Sequence, residues 1–91
     1  MPVVWAPQAI EDIARITRYI AAENPVAAIR VARELVVAGD SLVLFPRRGR
    51  PGSLPGRREL VVVRPYVIVY RLLADETVDI LRVWHAAQDR P

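Results

Sequence analysis

GRRELVVVRPYVIVYR, residues 56–71, reads as two short β-strands and the turn between them. Arg58 to Val63 is β-branched and apolar, Arg64-Pro65 breaks the run, and Tyr66 to Leu73 resumes it. Downstream, Asp75-Glu76 is a polar turn and Thr77 to His85 a third strand. Connections this short leave an antiparallel meander as the arrangement of the three.

Upstream of the meander the pattern turns helical. Pro2 to Trp5 is a short β-branched run that fits an edge strand. Ala6-Pro7 opens a helix, with proline placed where a helix tolerates it. Gln8 to Glu23 puts Ile10, Ile13, Ile16 or Thr17, and Ile20 on one side, and Glu11, Asp12, Arg15 and Arg18 largely on the other. Asn24-Pro25 stops this helix and starts the next, asparagine as cap and proline as first residue. The second helix is expected from Pro25 to about Leu44. Its buried stripe is Ala28, Ile29, Ala32, Leu35, Val36, Gly39, Leu42 and Val43. The small residues Ala28, Ala32 and Gly39 would let another helix approach closely. Phe45 to Gly56, with its prolines and glycines, is expected to be a loop without regular structure, and Ala86 to Pro91 a tail. The expected fold class is α+β. An antiparallel β-sheet packs against an N-terminal antiparallel helical hairpin, in the order β-α-α-β-β-β. At 91 residues the chain is one domain, residues 1–91.

Charge narrows the function. Arg47 to Arg71 holds seven arginines (47, 48, 50, 57, 58, 64 and 71) against one acid, Glu59, so this segment carries +6 while the whole chain carries +3. A local cationic patch on a sheet marks a surface that meets something anionic. Every basic side chain except His85 is arginine, which rules out a lysine Schiff base, a Walker-type lysine or a lysine general base. Arginine stays protonated and offers a planar fork, so these side chains bind anions and do not shuttle protons. Cysteine is absent, so there is no disulfide framework and no thiolate metal site. No cofactor and no metal are expected. No apolar run reaches the ~18 residues that span a bilayer, and MPVVWAPQAIED lacks a basic n-region. The expected location is the cytoplasm, with no membrane partner.

Seven pieces, in order, carry a resemblance. They are Trp5 before the first helix; DI-x-x-I-x-x-YI, Asp12 to Ile20; and NP-x-AA, Asn24 to Ala28. L-x-x-FP-x-x-GRPG, Leu42 to Gly52, follows, then RELVV, Arg58 to Val62; YVIVYR, Tyr66 to Arg71; and IL-x-V-x-HAAQD, Ile80 to Asp89. Together they make the chain resemble the ParE/RelE superfamily of toxins from bacterial type II toxin–antitoxin modules, with a spelling closer to the ParE side. ParE-like members poison DNA gyrase and RelE-like members cut messenger RNA on the ribosome. The resemblance implies a growth-inhibiting, plasmid-stabilising toxin that binds gyrase and is not itself an enzyme. It also implies a cognate ParD-like antitoxin with an acidic C-terminal segment. Direct contact with nucleic acid ranks second.

The RNA-cutting solution resembles a set of lysines and arginines with a C-terminal tyrosine. Here lysine is absent, the tail HAAQDRP has no tyrosine, and Val67 stands where RNA-cutting relatives tend to carry arginine. The alternative, a ribosome-dependent mRNA endoribonuclease, would draw on Arg58, Glu59, Arg71, Arg82 and His85, since acid–base catalysis needs a group that titrates and cations around the phosphorane. The plain reading of His85 is a strand-end residue bonded to backbone, and that of Glu59 an ion pair. A third reading is an inactive relative that only binds. On the gyrase reading, the target-binding candidates are Arg57, Arg58, Arg64, Arg71, Arg82 and His85. Alternation sets Arg71 with Val67 and Val69, and Arg82 with Ile80 and Trp84. Antitoxin-binding candidates are Ile13, Ile16, Tyr19, Ile20, Val36 and Val43, because the helices carry more branched aliphatics than one stripe needs.

Overall fold

A computed structural model describes residues 2–88. The elements run β1 (Val3–Trp5), α1 (Pro7–Ala21), α2 (Pro25–Asp40), a 3-10 turn (Ser41–Val43), β2 (Arg50–Pro51), β3 (Arg58–Val63), β4 (Tyr66–Leu72) and β5 (Val78–His85). Of the expected tail, residues 89–91 lie outside the described residues, and with them Asp89 of the HAAQD piece. The strands form one five-stranded sheet in the order β1-β5-β4-β3-β2. The β3-β4-β5 meander is antiparallel as expected, but β1 joins β5 in parallel, Val3 opposite Val78 and Trp5 opposite Ile80. The sheet is therefore mixed and not purely antiparallel.

Each helix starts where its sequence says. Pro7 opens α1. Asn24 caps α2, its Oδ1 accepting from the Ala27 N–H at 3.1 Å, with Pro25 next. The helical end of α2 departs from expectation. It stops at Asp40 and tightens into a 3-10 turn. The Ser41 hydroxyl donates back to Ala38 O at 2.6 Å, a competing bond that suits a helix end better than its interior.

Gly39 serves another purpose than helix approach. A Cβ there would collide with the Trp5 ring and stand 2.9 Å from Ile80 Cδ1. The bare backbone lets the β1 tryptophan lie flat on α2, where its Nε1–H donates to Asp40 Oδ1 at 3.0 Å. The core fills the space between helices and sheet with Ala9, Ile16, Leu35, Ala38 and Leu42 against Leu60, Ile68, Tyr70, Val78, Ile80 and Val83. The expected α2 stripe is too wide. Ala28, Leu35 and Leu42 are buried, whereas Ile29, Val36 and Val43 are 61%, 41% and 44% exposed.

The segment 45–56 is not wholly irregular. Arg50 and Pro51 pair with Glu59 and Arg58 as a two-residue edge strand, a place where proline is allowed because its missing N–H faces no neighbour. The loop before it is pinned from inside the core. The Tyr70 hydroxyl accepts from the Gly49 N–H and donates to Pro46 O, both at 2.8 Å. Burial pushes the Tyr70 pKa up, despite the Gly49 N–H and nearby arginines. No helix among the described residues is long and apolar enough to cross a membrane.

Candidate functional site

Strand alternation separates two faces of the sheet. Tyr66, Ile68 and Tyr70 point to the helices, and Val67, Val69 and Arg71 point away. On β5 the register shifts between Val69 and Tyr70, so Val69 faces Arg82 while Tyr70 faces Ile80. Leu81 is the extra residue of a bulge. The bulge corrects the simple alternation. Ile80 lies in the core, and Arg82 shares the helix-free face with Trp84 and Val69.

Arg82 is held from a distance in sequence. Its Nε and Nη2 donate to Asp12 at 2.8 and 3.1 Å, and the Val83 N–H donates to the same carboxylate at 2.9 Å. Arg15 adds a further bond at 3.3 Å. β1 ends opposite Ile80, so the β5 edge beyond it needs another acceptor, and α1 delivers Asp12 there. Asp12 is 4% exposed, not on the solvent side of α1 as its spacing suggested. Burial alone would raise its pKa. The bonds from Arg82 and the Val83 N–H, with the charge of Arg82 and the Arg15 bond, outweigh that and hold it below the ordinary value. The Arg82 guanidinium carbon also sits 5.6 Å from the Trp84 ring centroid, a cation–π contact.

These side chains edge a cavity of about 530 Å³ at the face of the sheet away from the core, closed on one side by Pro7 and Gln8 at the start of α1; its apolar lining includes Leu54, Val69, Leu81 and Trp84, and its charged groups are Arg57, Arg82 and Glu59. Glu59 is 8% exposed and pairs with Arg50 at 3.2 Å. The cavity suits an apolar or aromatic side chain accompanied by a carboxylate. Trp84 and Leu54 entered no sequence-based site. Trp84 had one visible signal, a large aromatic on the Val67–Val69 side of a strand, but Leu54 had none, because a loop position has no period.

The other candidates are placed plainly. Arg58 donates to Gly49 O at 2.6 Å and Arg47 O at 3.4 Å, holding the same loop as Tyr70. Arg71 pairs across strands with Asp79 at 2.9 Å. Arg64 is exposed in the β3–β4 turn. His85 packs edge-on to Tyr66, ring centroids 5.7 Å apart. Its Nδ1 accepts from the N–H groups of Ala87 and Gln88 at 3.1 and 3.3 Å. Of the helix candidates, Ile16 is core at 4% exposed, and Ile13 and Ile20 pack against the core. Tyr19 is 73% exposed, and Val36 and Val43 also reach the surface.

Arg58, Glu59, Arg71, Arg82 and His85 do not converge. Arg58 pairs with Tyr70 and His85 with Tyr66, both on the helix side. Four residues of β4 separate them, ~13 Å at ~3.3 Å per residue. Glu59, Arg71 and Arg82 lie on the opposite face. Among the described residues no cluster of histidine and carboxylates has metal-binding geometry.

Residues 3–90 match the family model described as ParE toxin of type II toxin-antitoxin system, parDE. The chain belongs to the ParE toxin family. This toxin is 48% identical to "Toxin RelE2" of Caulobacter vibrioides over 86 residues, covering 94% of this chain and 96% of that one. It is 35% identical to "Toxin RelE1" of the same organism, covering 97% and 96% of the two chains. Its fold resembles a chain of the solved "Chromosomal ParDE TA system from P. aeruginosa" with a TM-score of 0.85, 25% identity, and coverage of 93% and 95%. It is a toxin of the type II toxin–antitoxin class, and its two-helix, mixed-sheet α+β architecture is that of its structural relative.

Proposed function

We propose that this toxin acts as a protein ligand of DNA gyrase, binding the enzyme and stalling it, and that a ParD-like antitoxin neutralises it. One observation carries the choice against RNA cutting. The titratable and cationic residues that a nuclease would need are divided between two faces of the sheet, and Glu59, Arg71 and Arg82 are each tied to a partner. General acid–base chemistry requires those groups within hydrogen-bond reach of one scissile phosphate. Docking needs only a shaped, charged surface, and the helix-free face with Arg57, Arg82 and Trp84 around its cavity is one. Arg64 and His85 lie further along the same end of the sheet, and Arg58 and Arg71 at the other.

The antitoxin reading rests on the exposed apolar side chains of the helical hairpin. Ile29, Val36 and Val43 recur every seven residues and are exposed, as are Val26 and Val37 of the same helix and Tyr19 of α1. An amphipathic partner helix would cover such a row, and the assembly named for the structural relative, a ParDE system, supports a cognate partner of this kind. The names RelE1 and RelE2 of the relatives favour a second reading, the ribosome-dependent mRNA endoribonuclease.

Gyrase supercoiling with purified toxin separates the two. Inhibition that Arg82→Ala or Trp84→Ala weakens at least tenfold supports gyrase docking. Unaffected supercoiling, together with cuts at defined codon positions in a translating extract, replaces it with the nuclease reading.

A further inference from the structure

The loop between β2 and β3 contributes Ser53, Leu54 and Arg57 to the lining of the cavity of about 530 Å³. Its own backbone holds it. The Gly52 N–H donates to Arg57 O at 2.7 Å, and the Arg57 N–H donates to Leu54 O at 3.1 Å. Gly56 supplies a left-handed residue at φ 74°, a conformation that costs glycine little. Gly52 lets Arg57 come close, since a Cβ there would stand 3.1 Å from Arg57 Cβ. The loop thereby brings two side chains of opposite character to one place: Leu54, 56% exposed, and Arg57, half-buried.

Arg57 differs from the other charges around the cavity. Arg82 is committed to Asp12, and Glu59 to Arg50. Among the described residues, the Arg57 side chain has neither an ion pair nor a hydrogen bond, and the Trp84 indole N–H has no acceptor. A guanidinium half out of water beside Leu54 and Trp84 lacks both full hydration and a counter-charge, and an anion placed there supplies the second. The apolar lining sets what that anion is attached to. Val69, Leu81 and Trp84 offer a surface to a ring or a branched chain. Glu59 limits the number of charges. It stands on the same lining, so a chain of phosphates would bring further anions against it. One carboxylate on an apolar body fits, and a nucleic-acid backbone does not.

We propose that this cavity binds a small amphiphilic monocarboxylate, an aromatic or branched apolar group carrying one carboxylate. The apolar part lies on Trp84, Leu81 and Val69, and the carboxylate on Arg57. The volume falls within the roughly 300–1,000 Å³ of small-ligand pockets. A bound acid covers the surface proposed for gyrase docking, so it competes with the target and holds the toxin inactive. The competition rests on the gyrase reading; the binding itself does not.

The test titrates naphthoate into isotope-labelled toxin, beside naphthalenemethanol, its neutral counterpart, and an oligothymidylate. NMR signals give affinity and place together. Naphthoate should bind with a dissociation constant of about 1 mM or tighter. It should move the signals of Leu54, Arg57, Leu81 and the Trp84 indole, and leave the Trp5 indole, bonded to Asp40, in place. The alcohol should bind about tenfold more weakly, the loss of one charge-assisted hydrogen bond. Arg57→Ala should remove that difference: naphthoate weakens about tenfold, the alcohol changes less than about twofold, and Arg57→Lys recovers part of the loss. Thermal melts check that the variants fold. Binding unsaturated at about 10 mM, shifts centred elsewhere, equal affinity for acid and alcohol, or displacement by the oligothymidylate each overturns the proposal. In the supercoiling assay, saturating naphthoate should raise the toxin concentration needed for inhibition at least about fivefold, with no effect on gyrase alone. If naphthoate fills the cavity and inhibition is unchanged, the competition falls while the site stands. If the toxin never inhibits gyrase, the gyrase reading falls and the titration alone decides the site.

Discussion

Asp12 does the work of a strand that is not there. β1 leaves β5 after Ile80, and the carboxylate of α1 receives the next free edge N–H while clamping Arg82. Asp12→Asn would keep the shape but lose the charge on a 4%-exposed group facing two arginines. We expect a loss of about 2–3 kcal/mol in urea unfolding, at the low side for a broken buried pair because Arg82 still reaches water. The same residue sets an acid limit. Its folded pKa lies below the ordinary value, so its contribution is fully present above about pH 4, the unfolded carboxylate range. It is lost as the pH falls through the folded-state value. Melts of the wild type should fall more steeply below pH 4 than melts of Asp12→Asn. Sequence periodicity placed Asp12 among the polar residues of α1, and locally that is correct. What buries it is the end of a strand elsewhere in the chain, which no helical spacing encodes.

The strongest signals in the sequence, Asn24-Pro25 and the three runs between Arg58 and His85, became the hairpin and the meander. Both are built from local cues: a cap, a proline, a turn. The misplacements all involve a second element. Gly39 read as a helix-contact residue, but it makes room for the tryptophan of β1. Gly39→Ala therefore inverts the usual rule. Alanine in a helix interior normally stabilises by up to about 1 kcal/mol. Here the collision with Trp5 should destabilise by roughly 1–3 kcal/mol, and Trp5 fluorescence should report the displaced ring. The bulge at Leu81 was equally silent, since an alternating run has the same appearance with or without one extra residue. It decides which face Arg82 serves, so Arg57, Glu59 and Arg82 were visible as candidates, but neither Trp84 and Leu54 nor the geometry that joins them was. On α2 the apolar row was visible, yet burial divides it. Leu35 belongs to the core and Val36 does not. Val36→Glu should leave the melting temperature within about 2 °C, as surface changes generally do. It should weaken the antitoxin complex at least tenfold by calorimetry if the helical hairpin is where the antitoxin packs.

At the scale of the molecule, the cationic segment is less free than its composition suggests. Arg47 is clamped by both oxygens of Glu76 at 3.1 and 2.9 Å. That bond lowers the Glu76 pKa and raises that of Arg47. Glu76 occupies the left-handed region at φ 68°. Arg58 is spent on loop carbonyls. The sum of +6 was legible in the sequence, but its division between structural clamps and open surface needed the fold. The sheet is also ordered by distance along the chain. β5 lies between β4 and β1, and Val3 meets Val78. Deleting residues 2–5 removes the Trp5 contact and one edge of β5, and should lower the melting temperature by at least about 8 °C, more than a 1 kcal/mol loss gives in a domain this small. Because β5, flanked by strands on both sides, is the last of the five to be synthesised, a nascent chain still missing it lacks Val78, Ile80 and Val83 of the core and has nothing for its first strand to join. The fold is thus completed only once β5 has emerged, and not piece by piece as the chain grows.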